Sequence, residues 1–357
     1  MNAPANAAPL NAARAQVSHA DSAAEVPQAL MQIMMGAWVS QIAGTLARLR
    51  VFDEIARGHT SAAAIARQLS VNPSALSRAL RAATMIGLVR TAGPNAFELT
   101  AQGELLRSDV PGSMRALLDA ETAPGHWLPW GRLEDCIRTG GSVAPETLGF
   151  PNIWDYYETN VVEGKAFSQG MSGISGMAIG AVSAAWKPPM AHHVVDVGGA
   201  HGAFLSWVLG QLPEAKGQIY DLPHVVDTAR PAMAAAGLSN RVECIAGNFF
   251  KSVPAGGDLY LLKHIVHDWD DESVSAILGN VAQAMAPNAT VAVVELLIPE
   301  DGTPSPALLM DINMLVMLPG KERTVGEMKQ LFASAGLALT RVVPTHSPFS
   351  LLEARKA

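Results

Sequence analysis

Two stretches of the chain carry residue types at spacings that could do chemistry. The first, VDVGGAHGAF, runs an apolar segment into Gly198, Gly199 and Gly202, which permit a tight turn and a close approach of backbone to a ligand. Nineteen residues beyond Gly202, the run GQIYD ends in Asp221, whose two carboxylate oxygens can accept hydrogen bonds from a ribose diol. Together they favour a nucleoside-bearing ligand, the bland alternative for Asp221 being a helix cap ahead of LPHVVDTAR. A dinucleotide fingerprint would place glycine where Ala200 and Ala203 stand, which disfavours a nicotinamide cofactor. The second stretch, LYLLKHIVHDWDDES, runs an apolar segment into Lys263, His264, His267 and Asp268. His264, His267 and Asp268 raise the possibility of a metal, but no further ligand cluster stands at a recognisable spacing. Asp270, Asp271 and Glu272 read as the acidic first turn of a helix, favourable to its dipole.

The elements that must position these residues follow from periodicity. Beyond His193, strand-like runs (VVDVG, GQIYDLP, RVECIAG, LYLLK, TVAVVELL) alternate with helical segments beginning near Ala203, His224 and Asp271. This alternation predicts a mostly parallel sheet with helices on both faces, and ligands in such sheets bind at the carboxyl ends of the strands. Upstream, Leu30, Ile33, Met34, Ala37, Trp38, Ile42, Leu46 and Leu49 recur at helical spacing and predict one long helix with a buried face. Residues 61–106 then read helix, turn, helix and hairpin, with Asn72 and Pro73 suited to cap and open the second helix and Gly93-Pro94-Asn95 to turn the hairpin. That is a winged-helix pattern, but Arg78 and Arg81 are the only cations on its second helix, which favours packing or dimerisation over DNA. Residues 111–187 read as helical pieces broken by Gly and Pro, a connector able to form a pocket.

Composition narrows the remaining classes. A chain of 357 residues has room for two cores. The net charge of −7 argues against a nucleic-acid or anionic-membrane partner, and no run reaches the roughly 18 uninterrupted apolar residues of a membrane helix. Cys136 and Cys244 form neither a disulfide framework nor a CxxC pair, which fits a cytoplasmic protein with both residues in its core. The first 25 residues, rich in Ala, Asn and Pro, read as a disordered tail.

In order along the chain, VVDVGGAHG, YDLPHVV, GNFF, LKHIVHDWDDE and PGKERT resemble the class I S-adenosylmethionine-dependent O-methyltransferases of the caffeic acid, isoflavone and acetylserotonin type and their bacterial natural-product relatives. The resemblance covers nearly the whole chain. It implies an α/β Rossmann-like methyltransferase domain over residues 188–357, preceded by an all-α/winged-helix dimerisation domain over 26–110 and the connector over 111–187. It also implies S-adenosyl-L-methionine as cofactor, an aromatic small molecule as methyl acceptor, and a homodimer formed through the N-terminal domain. His267 is then the general base, with an ordinary imidazole pKa of roughly 6.5, and Glu295 and Glu322 are the carboxylates that orient it and flank the substrate. The expected cofactor contacts are Asp196, Gly198, Gly199, Gly202, Asp221, Leu222, Asn248, Phe249, Lys263 and Ser175. Phe167, Met171 and Met314 are expected to line the acceptor pocket, and no metal is expected. One departure stands out: Asn248 replaces the Asp that usually contacts the adenine amino group, leaving an uncharged acceptor there.

Overall fold

The computed structural model describes residues 25–357. Residues 1–24 of the expected tail lie outside them, and Glu25 already belongs to the first helix. The N-terminal unit comprises α1 (Glu25–Arg48), α2 (Val51–Ala56), α3 (Ala62–Leu69), α4 (Pro73–Met85), β1 (Val89–Gly93), β2 (Ala96–Leu99) and the short α5 (Ala101–Glu104). As the sequence suggests, Asn72 caps α4 with Pro73 at its first turn, and Asn95 takes the positive φ of the β1–β2 turn; Ser61 caps α3 in addition. Leu46, Phe52, Ile65, Leu80 and Phe97 fill the core beneath the hairpin.

The apolar face of α1 departs from expectation. Leu46 is buried, but Leu30, Ile33 and Trp38 are 61%, 76% and 61% exposed in the single chain. Periodicity identifies an apolar face without identifying what covers it, and here the first half of α1 extends past its own core. By length and a mean hydropathy of 1.2 this helix would pass as a membrane span.

The connector contains α6 (Arg115–Thr122), α7 (Pro124–Trp130), α8 (Leu133–Thr139), α9 (Ala144–Leu148), α10 (Ile153–Thr159) and α11 (Val161–Ala185). The last was expected as broken pieces, yet it runs unbroken for 25 residues through five glycines. Some of those glycines serve packing: a Cβ at Gly170 would lie 2.8 Å from the Leu117 Cα on α6. Tertiary contact offsets the weak helix propensity of glycine in this segment.

The C-terminal unit follows the expected alternation: β3 (His193–Val197), α12 (Ala203–Gln211), β4 (Lys216–Asp221), α13 (Pro223–Ala235), β5 (Val242–Ala246), β6 (Leu259–Lys263), α14 (Asp271–Ala284), β7 (Thr290–Leu296), α15 (Pro306–Met317) and α16 (Val325–Ser334). Two further strands, β8 (Leu337–Pro344) and β9 (Phe349–Lys356), close the chain. The sheet order is β5-β4-β3-β6-β7-β9-β8, parallel from β5 to β7 and antiparallel at β9 and β8. One apolar cluster covers each face. Strand order reverses between β3 and β6, so their carboxyl ends, Val197 and Lys263, flank the crevice where such sheets bind ligands.

Because its Cβ has no room, Gly170→Ala is expected to lower stability by about 1–3 kcal/mol. Nothing lies within 4 Å of a Cβ at Gly180 in the same helix, so Gly180→Ala should raise stability by about 0.5–1 kcal/mol. Thermal or urea unfolding of the two variants measures the contrast; equal effects would remove the packing explanation for α11.

Candidate active site

The turn after β3 is held by its own side chains. Gly198 and Gly202 have φ of +68° and +72°. Added Cβ atoms at these positions would sit 2.4 Å from Ile265 Cδ1 and 2.4 Å from Ile219 Cδ1, and one at Gly199 would sit 2.8 Å from the Asp196 carboxylate. The glycines therefore let this turn fold onto the sheet, in addition to any approach by a ligand. Ala200 also lies at positive φ, and its N–H donates to Asp221 Oδ2 at 2.9 Å. The Leu222 N–H donates to Asp221 Oδ1 at 2.7 Å. Each carboxylate oxygen so fixed keeps a lone pair for a further donor.

Asp196, at the end of β3, is buried with Oδ2 unpartnered, and burial pushes its pKa up to about 7. Lys263 ends β6, and its Nζ donates to Ser175 Oγ on α11 at 2.8 Å. Burial lowers the Lys263 pKa, with the Asp196 charge opposing. Asn248 is exposed, and its Oδ1 already accepts the Phe250 N–H at 2.9 Å. Phe249 is half-buried against Trp269, while Leu222 is largely exposed.

Beyond Lys263 the chain makes a 3-10 turn, Val266–Asp268, that carries His267. Its Nδ1 lies 2.8 Å from Glu322 Oε1 and 3.8 Å from Glu295 Oε2, and its Nε2 lies 3.4 Å from Asp268 Oδ1. Glu295 Oε1 accepts the N–H groups of Ile265 and Val266 at 3.0 and 2.8 Å, fixing the turn from below. Glu295 Oε2 and Glu322 Oε2 are buried without partners. Burial pulls the His267 pKa down, but the three carboxylates outweigh it and lift it to about 10. Burial raises Glu295, and it raises Asp268 to about 6. The value near 6.5 expected for His267 is therefore corrected: at neutral pH this imidazole is charged.

A second loop straps the first. Lys321 and Arg323 do not pair with the Glu322 between them; both engage Asp271 on α14. The buried Arg323 also donates to the Val266 and Trp269 carbonyls at 3.0 and 2.7 Å, and the Glu322 N–H donates to Asp311 Oδ1. Gly320 packs so closely that a Cβ would meet the His267 carbonyl at 1.9 Å. The structure thus brings together His267, Glu295 and Glu322, which are far apart in sequence. It adds Asp268, the sequence neighbour of His267, and Asp271, Asp311, Gly320 and Arg323, whose roles depend on long-range packing that no local pattern carries. Atoms of His267, Glu295 and Glu322 lie within 4.8 Å of one another, a grouping that could hold a cation and that sequence spacing did not reveal.

On the connector, Phe167 is half-buried and stacks on Tyr157 at 4.7 Å between ring centroids and on His126 at 5.8 Å. Tyr157 and His126 share a hydrogen bond of 2.9 Å. Met171 is half-buried and Met314, on α15, is buried. Cys136 is buried and Cys244 is half-buried, short of the core position expected for it.

A sequence profile described as an O-methyltransferase domain matches residues 130–338, and one described as an O-methyltransferase dimerisation domain matches residues 31–109. Phenazine O-methyltransferase PhzM of Lysobacter antibioticus is 34% identical over 328 residues, 91% of this chain and 95% of that one. The crystal structure of LaPhzM superposes with a TM-score of 0.88 at 33% identity, covering 93% of this chain and 99% of that one. NcsB1 from neocarzinostatin biosynthesis, solved with S-adenosyl-L-homocysteine and 1,4-dihydroxy-2-naphthoic acid, gives 0.78 at 33% identity over 89% and 96%. Chemistry varies among relatives of similar identity. Aclacinomycin 10-hydroxylase RdmB of Streptomyces purpurascens is 32% identical over 298 residues, 82% of this chain and 79% of that one.

The site has a pH signature of its own. His267 has a folded pKa above its unfolded value, so its contribution to stability is complete below about 6.5 and is lost as pH rises through about 10. Asp196, Asp268 and Glu295, also raised, lose their contributions as pH rises through their folded values, with the same sign as His267, whereas Lys263 and His264, lowered by burial, act with the opposite sign. The ligand-free protein should melt at progressively lower temperature from pH 6 to pH 10, and Glu322→Gln should flatten the upper part of that decline. A pH dependence between pH 7 and 10 that is the same in the wild type and in Glu322→Gln would refute the charged His267.

Proposed function

The chain belongs to the S-adenosylmethionine-dependent O-methyltransferase family, and on that premise we propose that it methylates a hydroxyl on an aromatic secondary metabolite with His267 as proton acceptor. The observation that carries this is the 2.8 Å contact from Glu322 to Nδ1 of His267, whose side chain is only 13% exposed. It fixes the ring so that Nε2, flanked by Asp268, is the nitrogen available to an acceptor hydroxyl.

The residues around the β3 turn suit the cofactor. Asp221 keeps lone pairs for a ribose diol, and the unpartnered Asp196 oxygen and the Lys263–Ser175 pair offer opposite charges to the amino and carboxylate groups of an amino acid. Gly198, Gly199 and Gly202 bring backbone to this edge, and Leu222, Phe249 and Asn248 would meet adenine. Bound S-adenosyl-L-methionine supplies a methyl group on a sulfonium whose positive charge already activates the leaving group, so transfer itself calls for no metal.

The chain's own residues then align the acceptor and manage one proton. Phe167, Met171 and Met314 supply an apolar slot for a planar ring. An aromatic hydroxyl has an ordinary pKa near 10, matched to the His267 value of about 10. Proton transfer from the hydroxyl to neutral Nε2 is therefore close to balanced, and it leaves an oxyanion beside an imidazolium. This arrangement favours oxygen over nitrogen as acceptor: an aryl amine attacks through its lone pair without prior proton loss, whereas a hydroxyl gains from a base aligned in advance.

The exposed Ile33 and Trp38 lie within the match to the dimerisation profile, and we assign their face of α1 to a homodimer of a cytoplasmic enzyme. Combining Ile33→Glu with Trp38→Glu should convert a dimer to a monomer by light scattering; a wild-type monomer would refute this assignment.

For the catalytic roles, His267→Ala should reduce kcat by roughly 10²–10⁴-fold while S-adenosyl-L-homocysteine affinity stays within about threefold, given 1.4 kcal/mol per tenfold. In the wild type, kcat/KM should keep rising above pH 8, and Glu322→Gln should shift that rise to lower pH by removing a carboxylate that holds the proton. A pH profile that levels off near 6.5, or one that Glu322→Gln leaves in place, would exclude His267 as the base in this form.

A further inference from the structure

We propose that His264 is a second anchor in the acceptor site, hydrogen-bonding a heteroatom beside the hydroxyl that is methylated, so that the preferred acceptors are aromatic rings with two adjacent polar substituents. This rests on the hydroxyl-methylation reading above and narrows its substrate class.

Three independent features single out His264. Its backbone lies at φ +55°, in the left-handed region. Its Nε2 is buried without a hydrogen-bond partner. Its ring lies 5.7 Å from the His267 ring and 5.0 Å from Phe349, at the carboxyl end of β6. A residue that served only packing would be better replaced by an apolar ring in a relaxed backbone, because an unmade buried hydrogen bond and a left-handed φ both oppose folding. Such costs, met together next to a reacting group, are characteristic of ligand contacts.

The chemistry of the two imidazoles is also complementary. His267 faces three carboxylates and carries charge. His264 faces Lys263 and His267 instead; burial, followed by those two cations, keeps it neutral. A neutral imidazole offers one donor and one acceptor according to tautomer, which suits a hydroxyl, a carbonyl or a ring nitrogen. The backbone N–H of His264 donates to the Val294 carbonyl at 3.0 Å, so the residue is anchored to the sheet despite its unusual φ. Two fixed imidazoles, one to handle the proton and one to hold its neighbour, select acceptors by the spacing of two heteroatoms.

Binding tests this without turnover. The protein saturated with S-adenosyl-L-homocysteine is titrated with 2,3-dihydroxynaphthalene and with 2-naphthol, in the wild type, in His264→Phe and in His264→Asn, whose side chain tolerates positive φ. The wild type should prefer the diol by about tenfold or more. His264→Phe should bring the two within about threefold of each other, through weaker diol binding alone, and His264→Asn should retain part of the preference. Equal binding by the wild type, or a preference that survives in His264→Phe, overturns the proposal and leaves Nε2 to a structural water. Equal weakening of both ligands in His264→Phe would make the residue a prop for the site, which also overturns it. Preferential diol binding lost in His264→Phe, but without methyl transfer to either ligand, would uphold the anchor and instead refute hydroxyl methylation.

Discussion

Everything at the carboxyl edge of the sheet depends on keeping Glu295 and Glu322 beside His267 with little water to solvate them. A buried carboxylate is costly unless it is paired or hydrogen-bonded, and here one imidazole is shared among Glu295, Glu322 and Asp268. The resulting charge on His267 is what makes the cluster tolerable. It also means that the proton on this ring has a structural role at rest, beside the chemical role proposed for it during turnover. Removing it exposes three carboxylates to one another, so a cationic ligand arriving nearby and the loss of that proton are electrostatically linked.

Such a cluster has to be closed by backbone. Glu295 does so from β7 by accepting two N–H groups of the turn that carries His267. Arg323 does so from the opposite side, bonding carbonyls at both ends of that turn, and Asp271 neutralises it from the start of α14. Gly320 permits the contact because no other residue leaves room for the His267 carbonyl. The PGKERT segment therefore contributes more than Glu322: its glycine and arginine set where Glu322 can be. A substitution at Asp271 would act on His267 through Arg323.

The sequence carries this design unevenly, and the reason lies in the range of each interaction. Alternating strands and helices, the cap at Asn72, and the carboxyl-end positions of Asp221 and Lys263 are local or periodic, and they are legible in the order of residues alone. The meeting of His267, Glu295 and Glu322 is legible only through resemblance, since they lie on three separated segments. Asp271 looks like a helix-dipole residue until Arg323 is seen against it. The continuity of α11 is hidden because glycine weakens a helix in isolation, whereas the close approach of α6 at Gly170 is visible only in three dimensions. The exposed half of α1 misleads for the same reason: an apolar stripe predicts burial and does not say against which chain.

The relatives show that one scaffold supports transfer to oxygen and hydroxylation, so the fold alone does not select the reaction. What selects it is the electrostatics of a few side chains. Transfer to oxygen benefits from a base whose proton affinity matches the acceptor hydroxyl, and the three carboxylates move the ordinary imidazole value upward toward that match. If Asp268 and one glutamate were replaced by neutral residues, burial would pull the ring back down. The imidazole would then be neutral at rest and a weaker base toward an aromatic hydroxyl, though still able to orient a substrate that needs no proton removed. On the proposed role of His267, the acidity of the pocket around it, more than the presence of the histidine, is therefore the feature that would tie this chain to hydroxyl chemistry.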